Sequence, residues 1–170
     1  MVKQEFIMLM EKFVTREAVG VTAMRGQKKK TLRKVRKYTE DLLGSLKEID
    51  SEDQYLNWLN LHTIKLGNKV HSWGAARKAL NLFMRTAFYN YYLNKEYKLR
   101  RLEAWLETPL DRIVAKKLKR SFPKEALPSW PGVKHLSSIV SDRFQEAASA
   151  VAMNERRKTV HMDVFLWVQE

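Results

Sequence analysis

The chain has 170 residues, 45% hydrophobic and 30% charged, with 32 Lys and Arg against 19 Asp and Glu, a formal net charge of +13. That length and composition suit one domain with a sizeable core and exclude a disordered chain. The absence of cysteine excludes disulfides, thiolate zinc sites, iron–sulfur clusters and cysteine nucleophiles.

All four prolines fall after residue 108, so the first two thirds of the chain favour long helices. Residues 3–18 place Phe6, Leu9, Met10, Phe13 and Val14 at helical spacing, predicting a first amphipathic helix. Gly20 and Gly26 bracket a loop. A second helix is expected from about Lys28 to Ile49, with Leu32, Val35, Leu42, Leu46 and Ile49 as its apolar seam. Residues 25–37 hold eight cations and no acid: Arg25, Lys28, Lys29, Lys30, Arg33, Lys34, Arg36 and Lys37. The helix dipole prefers acids in the first turn, so helix stability alone does not select this order. A bound phosphate backbone would offset the repulsion.

Ser51 and Gln54 have the spacing of a capping box, opening a third helix with Tyr55, Leu59, His62 and Leu66 inward. Gly67 and Asn68 are expected to end or bend it. The fourth helix starts near Ser72 and is expected to bend near Asn94. Its core side reads Ala76, Ala79, Leu80, Phe83, Ala87, Phe88 and Tyr91. Lys78, Asn81, Arg85, Tyr89 and Tyr92, at spacings of 3, 4, 4 and 3, share another face, with Arg77 beside them. Cations interleaved with aromatics suit a polyanion with stackable rings, which points to nucleic acid.

Thr108-Pro109-Leu110-Asp111 is a helix-start signal that places Thr108 at the N-cap, Pro109 at the first helical position and Asp111 at the third. The helix that follows carries Lys116, Lys119 and Arg120. Residues 121–137 hold three prolines and Gly132, a long irregular connection that Leu127 and Trp130 are placed to pin. Another helix follows from Ser138 to Met153, with Ile139, Phe144, Ala147, Ala148 and Val151 inward. The last segment, from Thr159, alternates like a strand but has no evident strand partner, so helix is favoured. The expected fold is an all-α single domain of six or seven helices.

No histidine pair has metal-ligand spacing and no cofactor motif is present, so neither a metal nor a cofactor is expected. The stretches GAARKALNLFMRTAF (74–88) and TPLDRIVAKKL (108–118) resemble the helix-hairpin-helix DNA glycosylases related to endonuclease III. The resemblance implies that Lys78 attacks the sugar C1′ and that Asp111 assists, with Gly74 in a hairpin whose amides bind phosphate. This chain has one hairpin glycine where that family has two. Its separation of 33 residues between Lys78 and Asp111 exceeds the family's and calls for an inserted helix.

Three functions follow as expectations. The first is a nucleic-acid-binding protein, with DNA favoured over RNA, using the cations 25–37, the face Lys78–Tyr92 and the helix after Asp111. The second is a glycosylase- or nuclease-like enzyme using Lys78 and Asp111. The third is a protein whose basic face docks an acidic partner or an anionic membrane surface. The N-terminal residues lack a signal-peptide pattern, and a cytoplasmic setting is expected.

Overall fold

The computed structural model describes residues 3–20, 28–40 and 42–168. Among the described residues there are eight α-helices and no strand. They are α1 (Lys3–Ala18), α2 (Lys29–Thr39), α3 (Glu52–Val70), α4 (Trp73–Tyr89), α5 (Tyr91–Tyr97), α6 (Arg112–Arg120), α7 (Ser138–Asn154) and α8 (Met162–Val168). Short 3-10 turns occupy Leu43–Leu46, Leu99–Leu102, Val133–His135 and Thr159–His161. The all-α expectation holds, and the C-terminal segment is helical. No helix is long and apolar enough to cross a membrane.

Side-chain caps set most boundaries. Ser51 Oγ accepts from Gln54 N at 3.4 Å, and Gln54 Oε1 accepts from Asp50 N at 2.9 Å, a capping box displaced by one residue on its return arm. Ser72 Oγ accepts from Ala75 N at 3.2 Å and starts α4. Asn90 closes α4 and opens α5 by accepting from Leu93 N at 3.1 Å, so the bend lies four residues before Asn94. The second helix is shorter than expected. Thr39 Oγ1 donates back to Val35 O at 3.2 Å and Arg36 O at 3.1 Å, and the chain then tightens into the Leu43–Leu46 turn. α3 passes Gly67 and Asn68 and stops at His71, which is left-handed at φ 58.

α4 is the central pillar. Twelve of its 17 residues are buried, so it meets neighbours on most of its circumference. One apolar cluster joins α1 to α5 through Val14, Val35, Leu43, Tyr55, Leu59, Leu66, Leu80, Phe83 and Leu93. A second joins α6, α7 and α8 through Val114, Leu118, Leu127, Phe144, Met162 and Leu166. Leu127 is buried, and Trp130 packs edge-on against Phe144 at 5.3 Å between centroids, so both pin the 121–137 connection as expected.

That connection also docks on the start of α4. Ser72 Oγ donates to Lys134 O at 3.0 Å. A Cβ on Gly74 would sit 2.2 Å from Val133 O, which only glycine avoids. Gly74 therefore serves a close approach inside the first turn of α4. The two residues joining α3 to α4 are His71 and Ser72.

Three packing expectations need correction. α1 turns Ile7, Val14 and Ala18 inward and leaves Leu9 and Phe13 exposed, because those two lie on the far side of the helix from the stripe through Ile7, Val14 and Ala18. Tyr91, read as a core residue of a continuous helix, is 68% exposed because the break at Asn90 resets the register. Ile139, in the first turn of α7, is also exposed.

Candidate active site

The polar face expected on α4 divides into two sites with different surroundings. Arg77 is buried and makes a two-pronged pair with Glu107, with Nε 2.9 Å from Oε2. Its Nη1 also donates to Asn60 Oδ1 at 2.8 Å and Thr63 Oγ1 at 3.2 Å. Asn81, one turn on, donates to the same Glu107 at 2.8 Å. Arg77 and Asn81 are therefore interior ties between α3, α4 and the segment before α6, and neither presents a contact to a partner. At an i,i+4 spacing they face one carboxylate.

Lys78, Leu82 and Arg85 follow the adjacent stripe, which opens into a cavity of about 550 Å³. α1 and the residues after it contribute Arg16, Glu17 and Gly20 to this cavity. Pro109 and Asp111 enter from before α6, and Asp163, Val164, Trp167 and Val168 from α8. Lys78 Nζ lies 3.7 Å from Asp111 Oδ2, and the two side chains are 14% and 17% exposed. Two residues 33 apart in sequence thus face each other, with α5 and the Leu99–Leu102 turn filling the interval.

Asp111 is the N-cap of α6, not its third residue. Its Oδ1 accepts from Ile113 N and Val114 N, both at 2.9 Å, which leaves Oδ2 turned toward Lys78. Thr108 is instead buried, with Oγ1 donating to Thr159 O at 2.6 Å and its amide and carbonyl both held by Gln145. The cap stabilises α6 and also fixes the carboxylate.

Burial lowers the Lys78 amine below its usual range, and the Arg85 guanidinium lowers it further, while Asp111 acts in the opposite direction. Arg85 pairs through Nη1 with Asp163, which is buried and also accepts from Val164 N at 2.8 Å. The Nε of Arg85 is buried without a hydrogen-bond partner and belongs to a residue that lines the cavity. A site lined by Arg16 and Arg85, by the carboxylates of Glu17, Asp111 and Asp163, and by one amine of lowered basicity can bind an anion or a carbonyl and carry out amine chemistry.

No family model, no curated protein and no solved structure matches the chain.

The other residues expected at a nucleic-acid surface fall in three places. On α2 and its N-cap, Lys28, Lys29, Lys30, Arg33, Lys34 and Lys37 are exposed. Arg36 is half-buried and donates Nε to Val19 O at 3.2 Å, next to Gly20 at the cavity wall. Arg25 lies outside the described residues. On α6, Lys116 and Arg120 are exposed, and Lys119 is half-buried with Nζ donating to Pro128 O at 3.3 Å. These three share an open groove of about 790 Å³ with Arg112, Lys124 and the Trp130 ring, and all of its charged lining residues are cations. Tyr89 and Tyr92 are exposed. Tyr89 stacks on His161, with rings 5.6 Å apart, and Tyr92 meets Phe6 edge-on at 4.8 Å.

His161 and Asp163 diverge, as a two-residue helical spacing requires. Asp163 pairs with Arg85, and the His161 ring bonds Tyr89 Oη at 2.8 Å and Glu103 at 3.2 Å. Among the described residues no group of three or more His, Asp or Glu is placed to hold a metal ion. Sequence reasoning missed the roles of Glu107, Asp163 and Trp167. Glu107 and Asp163 are isolated acids far in sequence from their arginines. Trp167 reads as a core anchor, but it is 53% exposed at the cavity rim.

Proposed function

We propose that the chain is a base-excision enzyme of the glycosylase and lyase type, acting on DNA with Lys78 as nucleophile and Asp111 as its carboxylate partner. The observation that carries this reading is the Lys78–Asp111 pair, 3.7 Å apart in a cavity of about 550 Å³, with the amine driven below its usual basicity by burial. A nucleophilic lysine reacts as the free amine, and desolvation shifts Lys78 toward that form.

In the first step the amine attacks C1′ of a nucleotide turned into the cavity. The C1′–N bond breaks, and the base leaves with the electron pair and with the proton that Asp111 relays from Lys78. Asp111 stabilises cationic charge on the sugar and takes the proton that Lys78 loses. The sugar ring then opens to an imine between Nζ and C1′. At a site already lacking its base, the amine adds to the C1′ aldehyde and water is lost. The protonated imine acidifies the C2′ hydrogen, and loss of that proton expels the 3′ phosphate.

The cavity has room for an extruded base or sugar, and Arg85, held by Asp163 in its lining, places a cation beside it. The exposed cations of α2 and the α6 groove supply phosphate contacts outside it. Binding of nucleic acid without chemistry accounts for those cations but not for the desolvated lysine. Docking on an acidic protein or an anionic membrane leaves both the cavity and the lysine unused.

Borohydride reduction of the imine to a stable amine is the test. Incubated with a duplex containing one abasic site, the wild-type chain becomes covalently joined to DNA on borohydride addition, and Lys78→Gln does not. Failure of the wild type to trap on abasic DNA, or undiminished trapping by Lys78→Gln, would remove the assignment.

A further inference from the structure

The corner between α7 and α8 carries three cations in a row that no expectation assigned. α7 closes on a Schellman arrangement, with Arg156 N donating to Met153 O at 3.1 Å and Arg157 N to Ala152 O at 2.8 Å. This places Arg156 in the left-handed region at φ 53. Glycine takes that conformation without steric penalty, and arginine does not. The same left-handed stop ends α3 at His71 and α5 at Lys98, so what sets Arg156 apart is the groove that its side chain lines together with its neighbours Arg157 and Lys158. Arg157 is held with its guanidinium 4.5 Å over the Phe165 ring, and Lys158 is exposed.

These cations line an open groove of about 530 Å³ with Met153 and His161. A second groove, about 380 Å³, shares Arg157 and His161 with the first and shares Val164 and Val168 with the Lys78 cavity. The three depressions are therefore contiguous along α8. The seven residues of α8 span about 10 Å, the rise of roughly three nucleotides. The middle groove is walled by the stacked Tyr89 and His161 rings and by Val164 and Phe165, surfaces that suit sugars and bases. His161 is fixed there by Tyr89 on one ring nitrogen and Glu103 on the other.

We infer that a DNA strand running from the Lys78 cavity follows α8, with its backbone phosphates held by Arg156 and Lys158 and with Arg157, braced on Phe165, as the groove wall. The inference rests on the DNA reading above and extends it to a strand path. It differs from the α2 and α6 surfaces in using grooves that share residues with one another and with the Lys78 cavity.

The test uses the full chain and a fluorescent duplex containing one borohydride-reduced abasic site, titrated across a series of salt concentrations. The double variant Arg156→Gly/Lys158→Ala removes both side chains while glycine relaxes the left-handed residue, so its melting temperature does not fall. Its affinity is expected to drop about tenfold or more, and the slope of log K against log salt to fall by about two. A matched loss of two exposed cations on α3, Lys65→Ala/Lys69→Ala, is expected to change the slope by much less. Wild-type affinity and slope in the Arg156/Lys158 variant, or an equal loss in the α3 control, would overturn the strand path. If the wild type still traps on abasic DNA in that event, the catalytic reading stands and only this inference falls. A wild type that neither binds nor traps removes both.

Discussion

Arg77 and Lys78 are adjacent cations with opposite consequences for folding, and replacing each in turn by methionine separates them. Arg77 and Glu107 are 5% and 11% exposed at the side chain. Arg77→Met leaves the Glu107 carboxylate buried, with Asn81 as its remaining side-chain donor among the bonds described. Breaking one partner of a buried pair costs about 3–5 kcal/mol. For a domain of this size, 1 kcal/mol shifts the melting temperature by about 2–4 °C, so the variant should melt about 6–20 °C lower. Lys78→Met differs in each respect. Methionine conserves the volume, and the desolvated ammonium disappears. Asp111 keeps its two amide bonds to α6 and stays 17% exposed. The expected change is within about 1 kcal/mol, or less than about 4 °C.

The pH dependence adds a signed check. The folded Lys78 titrates below the 10.5 of the unfolded chain, so between the two values the unfolded state binds more protons. Stability contributed by this group therefore rises with pH through that window, and the rise is missing in Lys78→Met. Calorimetric melts of the three proteins at neutral and alkaline pH measure both effects. A Lys78→Met variant as unstable as Arg77→Met would refute the reasoning, because Lys78 would then be a structural residue.

Three further outcomes follow from the same geometry. Gly74→Ala brings a methyl 2.2 Å from Val133 O and should destabilise the chain by about 1–3 kcal/mol in a denaturant titration, despite alanine's higher helix propensity; a more stable variant would mean that the 121–137 connection does not dock there. Asp111→Asn keeps the α6 cap, so its melt should stay within about 1 kcal/mol of wild type, while the rate of borohydride trapping falls by about a hundredfold or more; equal rates would remove Asp111 from the chemistry. The wild-type trapping rate should rise with pH to a midpoint below 10.5, and Asp111→Asn should move that midpoint lower still, since the carboxylate is what favours the ammonium form; an upward move would contradict the pairing.

Much of the helical layout was legible in local patterns. Ser51 and Ser72 marked helix starts, and the 3.6-residue period placed Leu59, Leu66, Leu80 and Phe83 in the interior. Boundaries failed where a side chain competed with the backbone, at Thr39 and Asn90, and where Asp111 took the cap that Thr108 had been assigned. The Lys78–Asp111 pairing entered through a resemblance, because a separation of 33 residues has no local signature. Arg77 and Asn81 were misplaced because periodicity gives a residue's angle on the helix but not what stands opposite. Glu107 supplies that, and it comes from a distant part of the chain. The role given to Arg156 was invisible in the sequence, since only the fold shows the groove that it lines with Lys158 and His161.

The most direct test of Lys78 as nucleophile is to locate the bond in the trapped adduct. After borohydride reduction on abasic DNA, the complex is digested with a protease and a nuclease, and the modified peptide is sequenced by mass spectrometry. The geometry predicts a sugar remnant on Lys78 Nζ within the peptide around Trp73–Tyr89. A remnant on the N-terminal amine or on a surface lysine such as Lys116, with Lys78 unmodified, would contradict it.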